Sequence, residues 1–140
     1  MKNLYLIFLC LAFSGCAIKD KIIQEEGKSL ILSAMTNGQW KVTYYDKGGI
    51  DVTNTFASYS FQFKSNYTVD AISNGTVHQT GTWNAAGNTQ SQTISAVFQD
   101  AADSLNLLNG TWNINKTTWT SVDAKQTVGS ELRTLRLAKQ

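Results

Sequence analysis

The 140-residue chain has no proline, a single histidine and two cysteines, and charged residues make up 16% of it against a usual quarter. Twelve basic and ten acidic side chains leave no basic stripe to neutralise a phosphate backbone, so nucleic acid is not expected as a partner. The longest apolar run, Leu4 to Phe13, has ten residues, half of what a membrane-spanning helix needs. No glycine-rich phosphate loop precedes a helix. What is abundant from Cys16 to Gln140 is Thr, Ser, Asn and Gln interleaved with Trp, Tyr and Phe. That mixture suits strands with one wet and one dry face and argues against disorder. The length allows one domain.

The N-terminus reads as an address. Lys2 supplies a positive charge, Leu4 to Phe13 an apolar stretch, and Ser14-Gly15 two small residues before Cys16. Phe13-Ser14-Gly15-Cys16 resembles a bacterial lipobox. The resemblance implies removal of residues 1–15 as a signal peptide and acylation of Cys16 with diacylglycerol and palmitate-like chains. Cys10 would be discarded and Cys16 blocked, leaving no thiol for disulfides, catalysis or metal ligation. Without Lys2 the formal charge falls to 11 − 10 = +1. Each buried acyl methylene contributes about 0.8 kcal/mol, so two or three chains anchor firmly. By the bacterial sorting rule, Ala17 in place of Asp after the cysteine favours the outer membrane, with either face open.

Residues 16–36 are expected to form the lipidated tether and an amphipathic helix. Ile22, Ile23, Leu30, Ile31, Ala34 and Met35 recur at three- and four-residue steps, Gly27 weakens the helix, and Asn37-Gly38 stops it. Residues 37–140 alternate. Trp40, Val42 and Tyr44 share a face, as do Tyr59, Phe61 and Phe63, and then Tyr67, Val69 and Ala71. Asn74-Gly75 marks a hairpin, and Val77, Gly81 and Trp83 follow on one side, with Gln79 in phase as a polar group inside. Ile94, Ala96 and Phe98 alternate next, and Asp100 to Leu108 leaves room for a helical turn. Further strands are expected over Thr111–Asn115, Thr117–Asp123 and Glu131–Ala138. Eight antiparallel strands can close into an all-β barrel, which removes sheet edges; a two-sheet sandwich is the alternative.

Three segments share Gly-x-Trp: Gly38-Gln39-Trp40, Gly81-Thr82-Trp83 and Gly110-Thr111-Trp112. Glycine admits a close backbone approach, and the indole two places on fills the space. The order of lipobox, short helix, Gly-Gln-Trp-Lys-Val-Thr-Tyr-Tyr, Phe-Gln-Phe, Gly-Thr-Trp, Gly-Thr-Trp-Asn-Ile and Leu-Arg-Leu resembles the lipocalin-like lipoproteins of Bacteroidetes. The resemblance implies an eight-stranded barrel in which Trp40 closes the floor under Arg133 or Arg136.

His78 falls on the solvent face without a catalytic partner, and Asp46, Asp51, Asp70, Asp100, Asp103 and Asp123 read as solvated surface, so neither an enzyme nor a cofactor or metal is expected. The aromatic set Trp40, Tyr44, Tyr59, Phe61, Phe63, Tyr67, Trp83, Phe98, Trp112 and Trp119 either fills a core or walls a cavity. The ligand-lining set is Trp40, Tyr44, Tyr59, Phe61, Phe63, Val69, Gln79, Trp83, Phe98 and Trp112. The leading expectation is a monomeric carrier of a small apolar molecule, and the alternative a packed module docking on another envelope protein. Asp103-Ser104-Leu105 resembles an O-glycosylation sequon that would modify Ser104.

Overall fold

A computed structural model describes residues 27–101 and 103–140, so the signal segment, Cys16 and the first half of the expected helix lie outside the described residues. Residues 27–35 are helical (α1). The strands are β1 (Trp40–Lys47), β2 (Ile50–Asp51), β3 (Tyr59–Phe63), β4 (Thr68–Ser73), β5 (Thr76–Gly87), β6 (Gln92–Val97), β7 (Gly110–Thr117), β8 (Ser121–Val128) and β9 (Glu131–Lys139). Every pairing is antiparallel, β1 pairs with both β2 and β3, each strand from β3 on pairs with the next, and β9 pairs back onto β1 from Trp40↔Lys139 to Lys47↔Arg133. The result is a closed eight-stranded up-and-down barrel with β2 as an extra strand, which excludes the sandwich.

One seam is thin. β1 and β3 share the single ladder pair Trp40↔Phe61, because β2 and a 3-10 turn (Thr53–Phe56) intervene. That turn closes the gap with buried Phe56, whose ring stacks on Tyr45 at 5.2 Å. The Thr53 hydroxyl accepts from the Tyr45 backbone N–H at 2.8 Å, standing in for a ladder bond.

At the helix end of the barrel lie α1 and the β3–β4, β5–β6 and β7–β8 turns. At the loop end lie the β1–β2, β4–β5 and β8–β9 turns and the segment 98–109, which includes a helical turn (α2, Asp103–Asn106) where one was expected. α1 buries Ile31, Ala34 and Met35 at helical spacing. Gly27 does more than weaken it. A β-carbon there would sit 2.5 Å from the carbonyl carbon of Asn88, so glycine is what lets α1 rest on the β5–β6 turn.

Two bulges change which residues face inward. The register shifts between Val42 and Tyr44, so Tyr45, not Tyr44, enters the core; Tyr44 lies outside under the Arg136 guanidinium, 5.1 Å from its ring centre. A second shift between Ala71 and Ile72 leaves Val77 exposed; Gln79, in register with buried Ala71, keeps its inward phase with Gly81 and Trp83 but sits half-buried at the loop-end rim, where its amide donates to the Gln99 carbonyl at 2.6 Å. The expected Thr117–Asp123 strand is instead a turn and the start of β8, because the Thr118 hydroxyl accepts from the backbone N–H groups of Thr120 and Ser121. Tyr67 also leaves the expected face: it occupies the β3–β4 turn with φ of 64° and is exposed.

Asp70 is the exception to a solvated acidic surface. It projects from the outer side of β4 yet is only 5% exposed. Lys64 Nζ lies 2.5 Å from one carboxylate oxygen, and the Thr80 hydroxyl donates to the other at 2.7 Å. The hydrogen bonds from Lys64 and Thr80 hold its pKa below the usual carboxylate value. A depressed folded pKa contributes stability that is complete above the unfolded value of about 3.9 and disappears as pH falls through the folded one. Asp70→Asn is therefore expected to cost about 1–3 kcal/mol at neutral pH, and to leave a smaller stability difference from wild type under acid. Urea midpoints at pH 7 and below pH 3 would check this; an equal deficit at both would refute it.

Candidate functional site

The three Gly-x-Trp segments place their indoles inside the barrel, and each ring N–H donates to a main-chain carbonyl at 2.9 Å. Trp40 bonds to Met35 of α1, Trp83 to Lys64 of the β3–β4 turn, and Trp112 to Leu108 of the loop-end segment. Each indole thus ties the wall to an element that covers an end. The glycines behave as the spacing suggested at two positions. A β-carbon on Gly81 would lie 2.5 Å from the Val97 carbonyl oxygen and 2.8 Å from the Phe98 ring. Gly110, at φ 106°, makes room for the Gln126 amide.

Of the expected lining residues, Trp40, Tyr59, Phe61, Phe63, Val69, Trp83, Phe98 and Trp112 are brought together in the core. Tyr44 is outside it, as described above, and Gln79 faces inward at its loop-end rim, half-buried against the plug. Trp119 points into solvent from the β7–β8 turn. The cation over Trp40 is neither Arg133 nor Arg136 but Lys139, at 5.1 Å from the indole centre. Arg136 is taken by Tyr44 and approaches Asp123 at 3.9 Å. Arg133 turns into the loop end.

The rings interlock edge-on, Phe63 with Trp83 at 5.1 Å and Tyr45 with Trp112 at 5.8 Å. They leave an apolar void of about 40 Å³ walled by residues such as Phe61, Phe63, Ile94, Phe98, Leu108 and Trp112. A space of that size admits a few waters but gives them no polar partner, so it stays dry.

The loop end is where polarity enters. Segment 98–109 plugs the barrel with buried Leu105 and Leu108. Asn109 ties the segment's two ends, its side chain accepting from the Phe98 N–H at 2.7 Å and donating to the Phe98 carbonyl at 3.0 Å. The Tyr45 hydroxyl donates to the Leu107 carbonyl at 2.7 Å, and the Gln126 amide to the Asn109 carbonyl at 3.0 Å. Gln126 is buried, and its Oε1 lacks a hydrogen-bond partner among the described residues. Arg133 stands across the ladder from Gln126 and bonds Glu131 at 2.6 Å. Burial raises the Tyr45 pKa, partly opposed by the Arg133 guanidinium within hydrogen-bonding reach of the phenol.

Tyr45, Gln126 and the plug leucines were not singled out from the sequence. Val122, Ala124 and Gln126 alternate cleanly once β8 begins at Ser121, so the signal was present but misphased. His78 is exposed, edge-on to Tyr59 at 5.7 Å. Ser104 is partly covered within α2. Among the described residues no three His, Cys, Asp or Glu side chains gather as metal ligands, and no helix is long and apolar enough to cross a membrane. No family model, curated protein or solved structure matches the chain.

Proposed function

We propose that the chain is a non-catalytic interaction module of the bacterial cell envelope, tethered to the outer membrane through acylated Cys16 and docking on another envelope protein through hairpins at its loop end. The tether rests on the lipobox and on the likeness to lipocalin-like lipoproteins. The observation that carries the docking reading is a filled interior beside an apolar tip. A void of about 40 Å³ is far below the several hundred cubic ångströms of a carrier's pocket. Meanwhile Ile50, Val128 and Leu132 are exposed on two adjoining hairpins, which the Gly48 N–H joins by donating to the Leu132 carbonyl at 2.9 Å. Asp46, Asp51 and Glu131 rim these side chains, the apolar-centre, polar-edge layout of a protein contact.

A photo-crosslinker at Leu132 in cells should give a discrete protein adduct, and one at Asn84 on the opposite wall should not. The purified protein's native mass should equal peptide plus lipid. Saturable uptake of one apolar dye per barrel, with no adduct from the tip, would overturn docking. Labelled palmitate should enter the protein and be lost in Cys16→Ser; its absence would overturn the tether.

Carriage of a small apolar molecule is the second reading, favoured by the wholly apolar lining of the void. It requires the plug at 98–109 to move, and the tethers that hold it are the Tyr45 and Gln126 hydrogen bonds.

A further inference from the structure

We propose that the helix end of the barrel docks flat on an anionic lipid surface, with Trp119 and Leu30 as the side chains that enter it. This rests on the tether proposed above and adds the orientation of the barrel.

Three observations converge on that end. The first is exposed apolar surface. Trp40, Trp83 and Trp112 are at most 3% exposed, whereas Trp119 is 58% exposed and Leu30 is 55% exposed. They flank one groove of about 240 Å³ between α1 and the β7–β8 turn, together with Ala34, Thr117 and Thr118. An indole with a wet edge and an apolar body suits the headgroup level of a bilayer.

The second is charge. Lys28 on α1, Lys116 near the end of β7 and Lys139 at the end of β9 belong to this end, as does Lys64 in the β3–β4 turn, whose charge Asp70 offsets. Among the described residues the acids nearest to it are Asp70, already paired with Lys64, and Asp123, which approaches Arg136. The opposite end carries Asp46, Asp51, Asp100 and Glu131 against Lys47 and Arg133, and so stays net acidic. The barrel therefore presents a basic face on the side of α1 and an acidic face away from it, the polarity that an anionic leaflet would orient.

The third is reach. Eleven residue steps (27 − 16) separate Cys16 from Gly27. Fully extended they span at most about 40 Å. The intervening segment sets Lys19 and Lys21 against Asp20, Glu25 and Glu26, a net charge of −1 that Lys28, Lys116 and Lys139 outweigh. An acylated Cys16 thus keeps the start of α1 within about 40 Å of the bilayer, where a weak interfacial contact becomes intramolecular.

The buried state of the other three indoles makes the test specific. Purified full-length lipoprotein is reconstituted into vesicles of phosphatidylethanolamine and phosphatidylglycerol, or of phosphatidylcholine alone, with brominated lipids as quenchers. On the anionic vesicles Trp119 emission should be quenched by the lipids and shielded from aqueous acrylamide, and Trp119→Phe should remove that lipid-dependent part. Lys116→Gln should lower the docked-to-undocked ratio by about fivefold, and moderate salt should do the same. Protein that floats with vesicles while Trp119 stays as open to acrylamide as in detergent would overturn docking and leave the tether standing. Protein that fails to float would overturn both. Shielding that appears only in native membranes, without lipid quenching, would assign this face to a protein and overturn the lipid assignment.

Discussion

Trp40→Ala is expected to be the most destabilising single substitution in the barrel, costing about 3–5 kcal/mol and lowering the melting temperature by roughly 10–20 °C for a domain of this size. Trp40 is fully buried and sits where three parts meet. It forms the sole ladder pair between β1 and β3, pairs Lys139 on the β9 side of the closure, and its indole N–H holds the Met35 carbonyl at the end of α1. Removing the ring leaves a cavity at the thinnest seam, unpartners a buried carbonyl and detaches the helix that covers that end. Trp40→Phe should recover most of the packing and lose mainly the hydrogen bond, about 1 kcal/mol. Trp119→Ala, at an exposed turn, should stay within about 0.5 kcal/mol of wild type. Thermal melts followed by near-ultraviolet dichroism would rank the three. A Trp40→Ala protein no less stable than Trp119→Ala would mean that the seam is held elsewhere.

Much of this architecture was legible because alternation and turn chemistry agree along most of the chain. Tyr59, Phe61 and Phe63 alternate without interruption and face inward as expected, and Asn74-Gly75 makes its hairpin with both residues at positive φ. Legibility failed where local geometry breaks the period of two. A bulge at Val42/Tyr44 leaves no compositional mark, yet it exchanges Tyr44 for Tyr45 in the core and with it the phenol that holds the plug. The Thr118–Thr120 turn contains neither glycine nor proline; a hydroxyl in place of a distinctive backbone residue shapes it, so β8 was misphased and buried Gln126 was missed. The Arg133-or-Arg136 choice over Trp40 failed for a related reason. Both arginines find partners, Arg133 with Glu131 on its own strand and Arg136 with Tyr44 on neighbouring β1, before either could reach the floor. Tertiary pairing, which sequence spacing does not encode, gave that place to Lys139.

Leu108→Ala is expected to convert a filled barrel into one that binds. Leu108 is buried, walls the void of about 40 Å³, and belongs to the plug whose main chain Trp112 and Gln126 hold at Leu108 and Asn109. Truncation removes a side chain without touching those bonds, so the plug keeps its path and the lost volume adds to the void. The cost should be about 2–5 kcal/mol. In return, an apolar space approaching the ~150 Å³ that admits benzene should take up such a ligand and regain stability in proportion to its concentration. Tyr45→Phe separates filling from gating, because it removes the hydrogen bond to Leu107 while leaving the packed volume nearly unchanged. If the interior is simply filled, Tyr45→Phe loses about 1 kcal/mol and binds nothing. If wild type stabilises with benzene as strongly as Leu108→Ala does, the plug already opens on its own, and the acidic tip at Ile50 and Leu132 would surround an entrance instead of a docking face.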